Sequence, residues 1–251
     1  MIKRNVSLAA SLSCAMSLAI CPDAYADEEL EWDEAELFFE LNDTDGDLGL
    51  HANIDGEPWK WLEIESARGR TILNIRARYG LRRQGMTQLA WESAEPPFDE
   101  LDPADFFRRF PEGIYEISGM TLEGEEVESE VEISHVLAAP PGNITVNGQT
   151  AADSCDSPML PAVTTPVVID WDPVTESHPE IGMAGVDVEI ARYQFFVERD
   201  EVKLGVDLSP DVTGFAIPDA FLDDIGVWKY EIIARTEGGN NTAVETCFIL
   251  Q

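Results

Sequence analysis

The sequence has little cysteine, lysine and histidine, and each shortage excludes a class of protein. Two of its four cysteines precede residue 22, and the remaining pair, Cys155 and Cys247, lacks the close spacing of a zinc or redox motif. Lys and Arg together number 16 against 49 Asp and Glu, and the net charge of -33 excludes a general binder of nucleic acid or anionic membranes. The three histidines, His51, His135 and His178, are far apart, and no G-x-S-x-G, H-E-x-x-H, P-loop or G-x-G-x-x-G motif occurs. The sequence therefore favours a non-enzymatic protein.

A hydrophobic run long enough to span a membrane is also missing. Lys3 and Arg4 precede a mostly apolar segment at 6–20, and the small-x-small site Ala-Tyr-Ala follows at 24–26. This arrangement predicts a secretory signal peptide over residues 1–26 and a periplasmic or extracellular product without a membrane span. The residue before Cys21 is not small, which argues against lipid anchoring at that cysteine.

Cys155 and Cys247 are the cysteines that remain after removal of this signal peptide. In an exported protein an isolated pair of cysteines predicts one structural disulfide. The bond would close a loop of about 90 residues, which the chain-entropy model makes worth about 4 kcal/mol.

Short alternating segments dominate residues 27–137 and predict an antiparallel sandwich. The clearest lies at 127–136, where Val127, Val131 and Ile133 alternate with glutamates. A segment at 71–79 places Leu73, Ile75, Ala77 and Tyr79 on one face, and further strands are expected at 35–41, 48–54, 59–65, 86–93 and 113–121. One helix is expected at 103–110, with Asp102 as N-cap and Pro103 at the first helical position.

The chain divides at the sequence Ala-Ala-Pro-Pro-Gly, residues 138–142, because such a segment is stiff and a poor strand or helix. Strand patterning resumes after it, with no helical periodicity. We therefore expect a first domain over 27–137, a linker over 138–143 and a second domain over 144–251, each folding separately.

Three segments of the second domain carry a resemblance to the fibronectin type III family. They are 167–171 (VVIDW), 193–198 (YQFFVE) and 222–232 (LDDIGVWKYEI), where Trp228 occupies the position of the family's corner tyrosine. The resemblance implies an antiparallel β-sandwich for this half of the chain and little about function, because the fold hosts many functions. The expected fold class is all-β, with two tandem antiparallel β-sandwiches and one short helix in the first.

An acidic loop offers a possible metal site. Asp43, Asp45 and Asp47 stand at alternate positions around a flexible turn, with Asp55 and Glu57 as further oxygen donors. Such oxygens suit Ca²⁺. The spacing does not match an EF-hand loop, and Asp/Gly-rich hairpin turns have the same composition without any metal. Both interpretations stay open, and calcium is the sole cofactor considered.

A possible binding surface contains Trp59, Trp61, Arg76 and Arg78. In a regular strand the two tryptophans share the face opposite Leu62 and could contact a sugar or a protein; burial is the alternative. Half of all arginines lie in this region: Arg68, Arg70, Arg76, Arg78, Arg82 and Arg83. They predict either a docking patch for an anionic partner or cross-strand pairing with the glutamates of 126–132.

Three functional hypotheses result. The favoured one is an exported non-enzymatic binding or structural module that contacts a protein or a surface polymer. The second is a calcium-dependent structural or adhesion module that uses the 43–47 loop. The third is an enzyme of unrecognised type with a carboxylate site in the first domain, although no pair of carboxylates stands out.

Overall fold

The protein is all-β in the computed structural model, which describes residues 30–222 and 224–251. The predicted signal peptide therefore lies outside the described residues. The first domain contains β1 (Glu34–Asn42), β2 (Asp47–Glu65), β3 (Thr71–Arg76), α1 (Tyr79–Gln84), β4 (Met86–Glu92), α2 (Pro103–Arg109), β5 (Gly113–Thr121) and β6 (Glu126–Ile133). Within the described part of the chain, no helix combines the length and the apolar character needed to cross a bilayer.

Strand β2 organises the first domain because it pairs with four other strands. Its first half pairs with β1 and β4, and its second half pairs with β3 and β5, which in turn pairs with β6. Apolar side chains from both halves, such as Leu50, Ile54, Leu62 and Ile64, enter one buried cluster. The two strands expected at 48–54 and 59–65 are thus one continuous, bent strand.

Helix α2 confirms the prediction from sequence. The Asp102 carboxylate accepts a hydrogen bond from Ala104 N at 2.8 Å, and Phe106 and Phe107 are buried against Phe39. A second short helix, α1, was not expected. Strand β3 ends at Arg76, so the prediction that the strand continues to Tyr79, on one face with Leu73 and Ile75, is wrong: Tyr79 lies in α1 and its side chain is 90% exposed.

The second domain has the sandwich implied by the resemblance. One sheet has the order β13-β10-β7-β8, and the facing strands follow the order β12-β11-β14-β15, with β9 on the far edge of β15. The bounds are β7 (Thr145–Val146), β8 (Gln149–Thr150), β9 (Ala162–Val163), β10 (Val167–Asp170), β11 (Ile190–Arg199), β12 (Val202–Leu208), β13 (Gly214–Ile217), β14 (Gly226–Thr236) and β15 (Asn241–Leu250).

Two local features of this domain follow from the sequence. The structure contains the Cys155–Cys247 disulfide, which ties the approach to β9 and β10 to the last strand. Trp228 donates its indole N–H to Asp224 O at 3.0 Å, four residues upstream. It therefore makes, from the corner position, the type of backbone contact that a corner tyrosine makes in this fold.

The two domains share one sheet. Residues 40–42 of β1 pair in parallel with residues 241–243 of β15, so an 11-stranded sheet passes from one domain into the other. The buried apolar clusters still divide between Leu137 and Ala138. That the second domain folds without the first stays a prediction.

Candidate functional site

The acidic loop lies at the contact between the domains. Asp43 N donates to Ala243 O at 2.9 Å, and Glu245 N donates to Thr44 Oγ1 at 3.0 Å. The Asp43 carboxylate lies 3.0 Å from His178 Nε2, which is buried. Within residues 30–222 and 224–251, no group of three or more His, Cys, Asp or Glu side chains is arranged to hold a metal ion. The loop thus acts in the structure as a docking turn against β15.

Several further contacts between the domains are polar. Asn240 accepts a hydrogen bond from Phe39 N and donates to the carbonyl oxygens of Ser134 and Val136, each at 2.9 Å. The Arg235 guanidinium lies 2.7 Å from the Glu36 carboxylate and 4.6 Å from the centre of the Phe38 ring. We call these contacts, together with the β1–β15 pairing and the 43–47 turn, the domain joint.

Carboxylates crowd the outer face of the joint. Burial, and then the charges of Glu95 and Asp45, raise the pKa of Asp47 to about 6. On β14, burial and then the charges of Glu40 and Glu245 raise the pKa of Glu231 to about 7. The joint therefore brings negative charges of the two domains close together, as with Glu40 of the first domain and Glu231 of the second.

The two tryptophans of the predicted surface do not share a face. A β-bulge lies between Trp59 and Trp61 in the pairing of β2 with β5, and it reverses the alternation. Trp59 is fully buried in the first core, whereas Trp61 is half-buried with Arg76 stacked 5.4 Å from its ring centre. The prediction that the two tryptophans share a face is therefore wrong, the alternative of burial holds for Trp59, and Trp61 lies near the surface.

The arginines predicted with them are on the surface. All six side chains are exposed, and among the described residues none forms an ion pair: Arg68, Arg70, Arg76, Arg78, Arg82 and Arg83. The expected pairing with the glutamates of β6 is wrong, because β2 and β5 lie between β3 and β6. We call these six residues the arginine surface.

Helix α1 adds apolar side chains to the arginine surface. None of its six residues is buried, and Tyr79 and Leu81 are 90% and 50% exposed. Tyr79 has a φ of 47°, a left-handed conformation that costs free energy for a residue with a side chain. The alternation of residues 71–79 predicts a strand through Tyr79, and no apolar periodicity in the sequence indicates the helix that replaces its end.

The histidines serve structural contacts. His178 Nδ1 accepts hydrogen bonds from the backbone N–H groups of Glu180 and Ile181, while Nε2 faces Asp43, so both nitrogens are occupied. His135 Nε2 lies 2.9 Å from Phe110 O, and His51 Nε2 lies 2.7 Å from Glu95 Oε1. These contacts orient loops and strands.

Comparison with known proteins supplies no family. No protein-family model matches the chain, and no curated protein matches it. Similar solved structures include a 1.5-MDa bacterial ice-binding adhesin, at 11% identity and a TM-score of 0.25, covering 89% of this chain and 66% of that one. A two-domain fibronectin type III segment of chicken tenascin has 12% identity and a TM-score of 0.27, covering 87% of this chain and 98% of that one.

A third similar structure is a tetra-tandem repeat from the extending region of a large adhesion protein. It has 13% identity and a TM-score of 0.26, and the match covers 87% of this chain and 50% of that one. This chain thus spans half of that structure and about two thirds of the ice-binding adhesin structure. Likenesses at such TM-scores identify no function, and the fold assignment rests on the strand order described above.

Proposed function

We propose that this chain is an exported, non-enzymatic structural and binding module. In this module the domain joint fixes the two domains relative to each other, and the first domain presents the arginine surface to a protein. Export is supported by the sequence of residues 1–26 and by the disulfide, a bond that persists in oxidising compartments. A non-catalytic role is supported by the sequence, which contains no G-x-S-x-G, H-E-x-x-H, P-loop or G-x-G-x-x-G motif.

The observation that carries the structural role is the sheet that continues from β1 into β15. A flexible pair of domains would leave the edge of β15 open, with unpaired backbone groups. Here that edge is filled, and Asn240, Asn241 and Thr242 are buried in the contact. Domains that share backbone hydrogen bonds and buried polar side chains are expected to move together, unlike domains on an open linker.

Rotational diffusion of the two domains tests this role. Nuclear spin relaxation of backbone amides should give one correlation time for both domains of the chain without its predicted signal peptide. Asn240→Ala removes three hydrogen bonds across the joint, so it should separate the correlation times of the two domains.

A matched control is Asn147→Ala. Asn147 also makes three hydrogen bonds, to Thr164 O, to Pro166 O and from Val168 N, but all lie within the second domain. This variant should keep a single correlation time. Two correlation times in the unaltered chain would contradict the proposed rigid module.

A further inference from the structure

One sheet face of the first domain changes sign from edge to edge. Its strand order is β3-β2-β5-β6, and the register places Arg76, Trp61, Met120 and Glu126 in one row across it. Strands lie about 4.8 Å apart, so the backbones of Arg76 and Glu126 are about 14 Å apart. At this end the face thus has a cationic edge, an apolar middle and an anionic edge, and the two edges do not neutralise each other.

The charges continue beyond this row at the same end of the sheet. Arg78, Arg82 and Arg83 follow β3 on the cationic side, while Glu123 and Glu125 lie in the turn between β5 and β6 on the anionic side. All of these side chains are exposed. We call Glu123, Glu125 and Glu126 the acidic edge.

Such a face is complementary to itself. A two-fold axis parallel to the strands, placed between β2 and β5, brings β3 of one copy opposite β6 of the other, and the reverse occurs at the same time. We propose that four residues of the arginine surface, Arg76, Arg78, Arg82 and Arg83, dock on the acidic edge of a second copy of this chain, forming a two-fold dimer around Trp61 and Met120. This inference rests on the binding role proposed above for the arginine surface and names its partner.

The opposite end of the same face does not take part. There the row contains Thr71, Glu65, Glu116 and Glu130, and the basic side chains beside it, Arg68 and Arg70, lie in the turn between β2 and β3. Two copies brought together at that end would oppose like charges, which costs free energy. The axis is therefore slightly inclined to the strands, so that the two sheets approach at the end where Arg76 and the acidic edge lie and diverge at the other.

The composition of the surface favours a protein over a polyanion as its occupant. Tyrosine and arginine are enriched in protein interfaces, and lysine is depleted there. The surface has six arginines without a lysine, together with exposed Tyr79 and Leu81 on α1. A long polyanion would also meet the remainder of a chain whose net charge is -33.

Charge-swap variants test the dimer by sedimentation equilibrium, at about 0.15 M salt so that long-range repulsion is screened beyond about 8 Å. One double variant, Arg76→Glu with Arg78→Glu, makes both edges of the face acidic. The other, Glu125→Lys with Glu126→Lys, makes both edges basic. Each should weaken self-association at least about tenfold, because it opposes like charges across the two-fold axis. An equimolar mixture of the two variants should form a heterodimer with affinity restored, because both contacts are then complementary again.

The matched control is Arg108→Glu with Arg109→Glu, two exposed arginines on α2 outside this face. It should leave the association constant unchanged. An unaltered chain that is monomeric up to about 1 mM, or a mixture that fails to associate, overturns the proposal. Binding of heparin by such a monomer, lost in the Arg76→Glu, Arg78→Glu variant, would assign the arginine surface to a polyanion instead. None of these results depends on the correlation times that test the rigid module.

Discussion

Most basic side chains of the second domain pair with carboxylates, whereas most of those in the first domain have no such partner among the described residues. In the second, Lys203 and Lys229 face carboxylates on neighbouring strands, and Arg199 lies 3.3 Å from the Asp224 carboxylate. In the first, the six residues of the arginine surface have no such partner among the described residues. The comparison teaches that basic side chains support the structure of one domain and remain available for contacts on the other.

The largest expected effect on stability is that of the disulfide, which only the second domain contains. Replacing Cys155 and Cys247 by Ala removes a bond across a sequence separation of 92 residues, and the free energy of unfolding should fall by about 4 kcal/mol. Urea denaturation, monitored by tryptophan fluorescence, measures the loss. An unchanged midpoint would mean that the first domain and the joint dominate the observed transition.

The next largest loss of stability is expected for Arg235, which is paired with Glu36 in the joint, in contrast to the exposed residues of the arginine surface. Arg235→Ala removes a buried guanidinium and leaves the half-buried Glu36 without its partner, and should destabilise the chain by about 3 kcal/mol. Unfolding in urea measures the change. A loss below about 1 kcal/mol would show that water replaces the guanidinium and that the joint is open to solvent.

An intermediate effect concerns pH and the joint. The pKa values of Asp47 and Glu231 are raised from 3.8 to about 6 and from 4.5 to about 7, so the folded chain binds these protons more tightly than the unfolded chain. The free energy of unfolding should therefore fall as the pH rises from about 4 to about 7. Allowing for solvent screening, we expect a total loss of about 1–2 kcal/mol, measured by denaturation at a series of pH values.

Neutral variants provide the control for this pH dependence. Asp47→Asn and Glu231→Gln should each raise the free energy of unfolding at pH 8 and flatten its pH profile, because each removes a charge that its crowded surroundings disfavour. A profile that keeps its slope in both variants would place the titration elsewhere on this acidic chain.

The smallest expected effect belongs to the arginine surface. Arg82→Ala and Arg83→Ala remove exposed side chains on α1 without an ion-pair partner among the described residues, so unfolding of the monomer should change by less than about 0.5 kcal/mol. Dilute samples, in which self-association is absent, are required for this measurement. A large loss would show that these arginines support the fold, and the contrast between the domains would fail.

Much of the fold could be predicted from local sequence. The alternation of Val127, Val131 and Ile133 with glutamates defines β6, and Asp102 with Pro103 marks the start of α2. The isolated pair of cysteines predicted the disulfide, and the fibronectin type III resemblance predicted the second sandwich; the structure contains both. Side-chain periodicity and helix capping depend on residues that are close in sequence, and the disulfide had one possible pair of cysteines. These features can therefore be predicted without knowing the tertiary structure.

The candidate surface was only partly predictable. Arginine clustering identified Arg76 and Arg78, but the expected partner strand was wrong because sequence does not give the order of strands in a sheet. The prediction that Trp59 and Trp61 share a face is wrong because a bulge of one residue between them reverses the alternation of side chains. Helix α1 was missed because no buried residue gives it an apolar periodicity.

The sequence by itself determined an acidic, all-β chain with one disulfide, a fibronectin type III-like second half and an excess of arginine in one hairpin region. Only the tertiary structure decided that β1 pairs with β15 and that the acidic turn at 43–47 docks between the domains. It also decided that the arginines and the acidic edge occupy opposite sides of one sheet face. The physical reason is that periodicity fixes which face of a strand is buried, whereas pairing between distant strands depends on edges that become available only when both domains are folded.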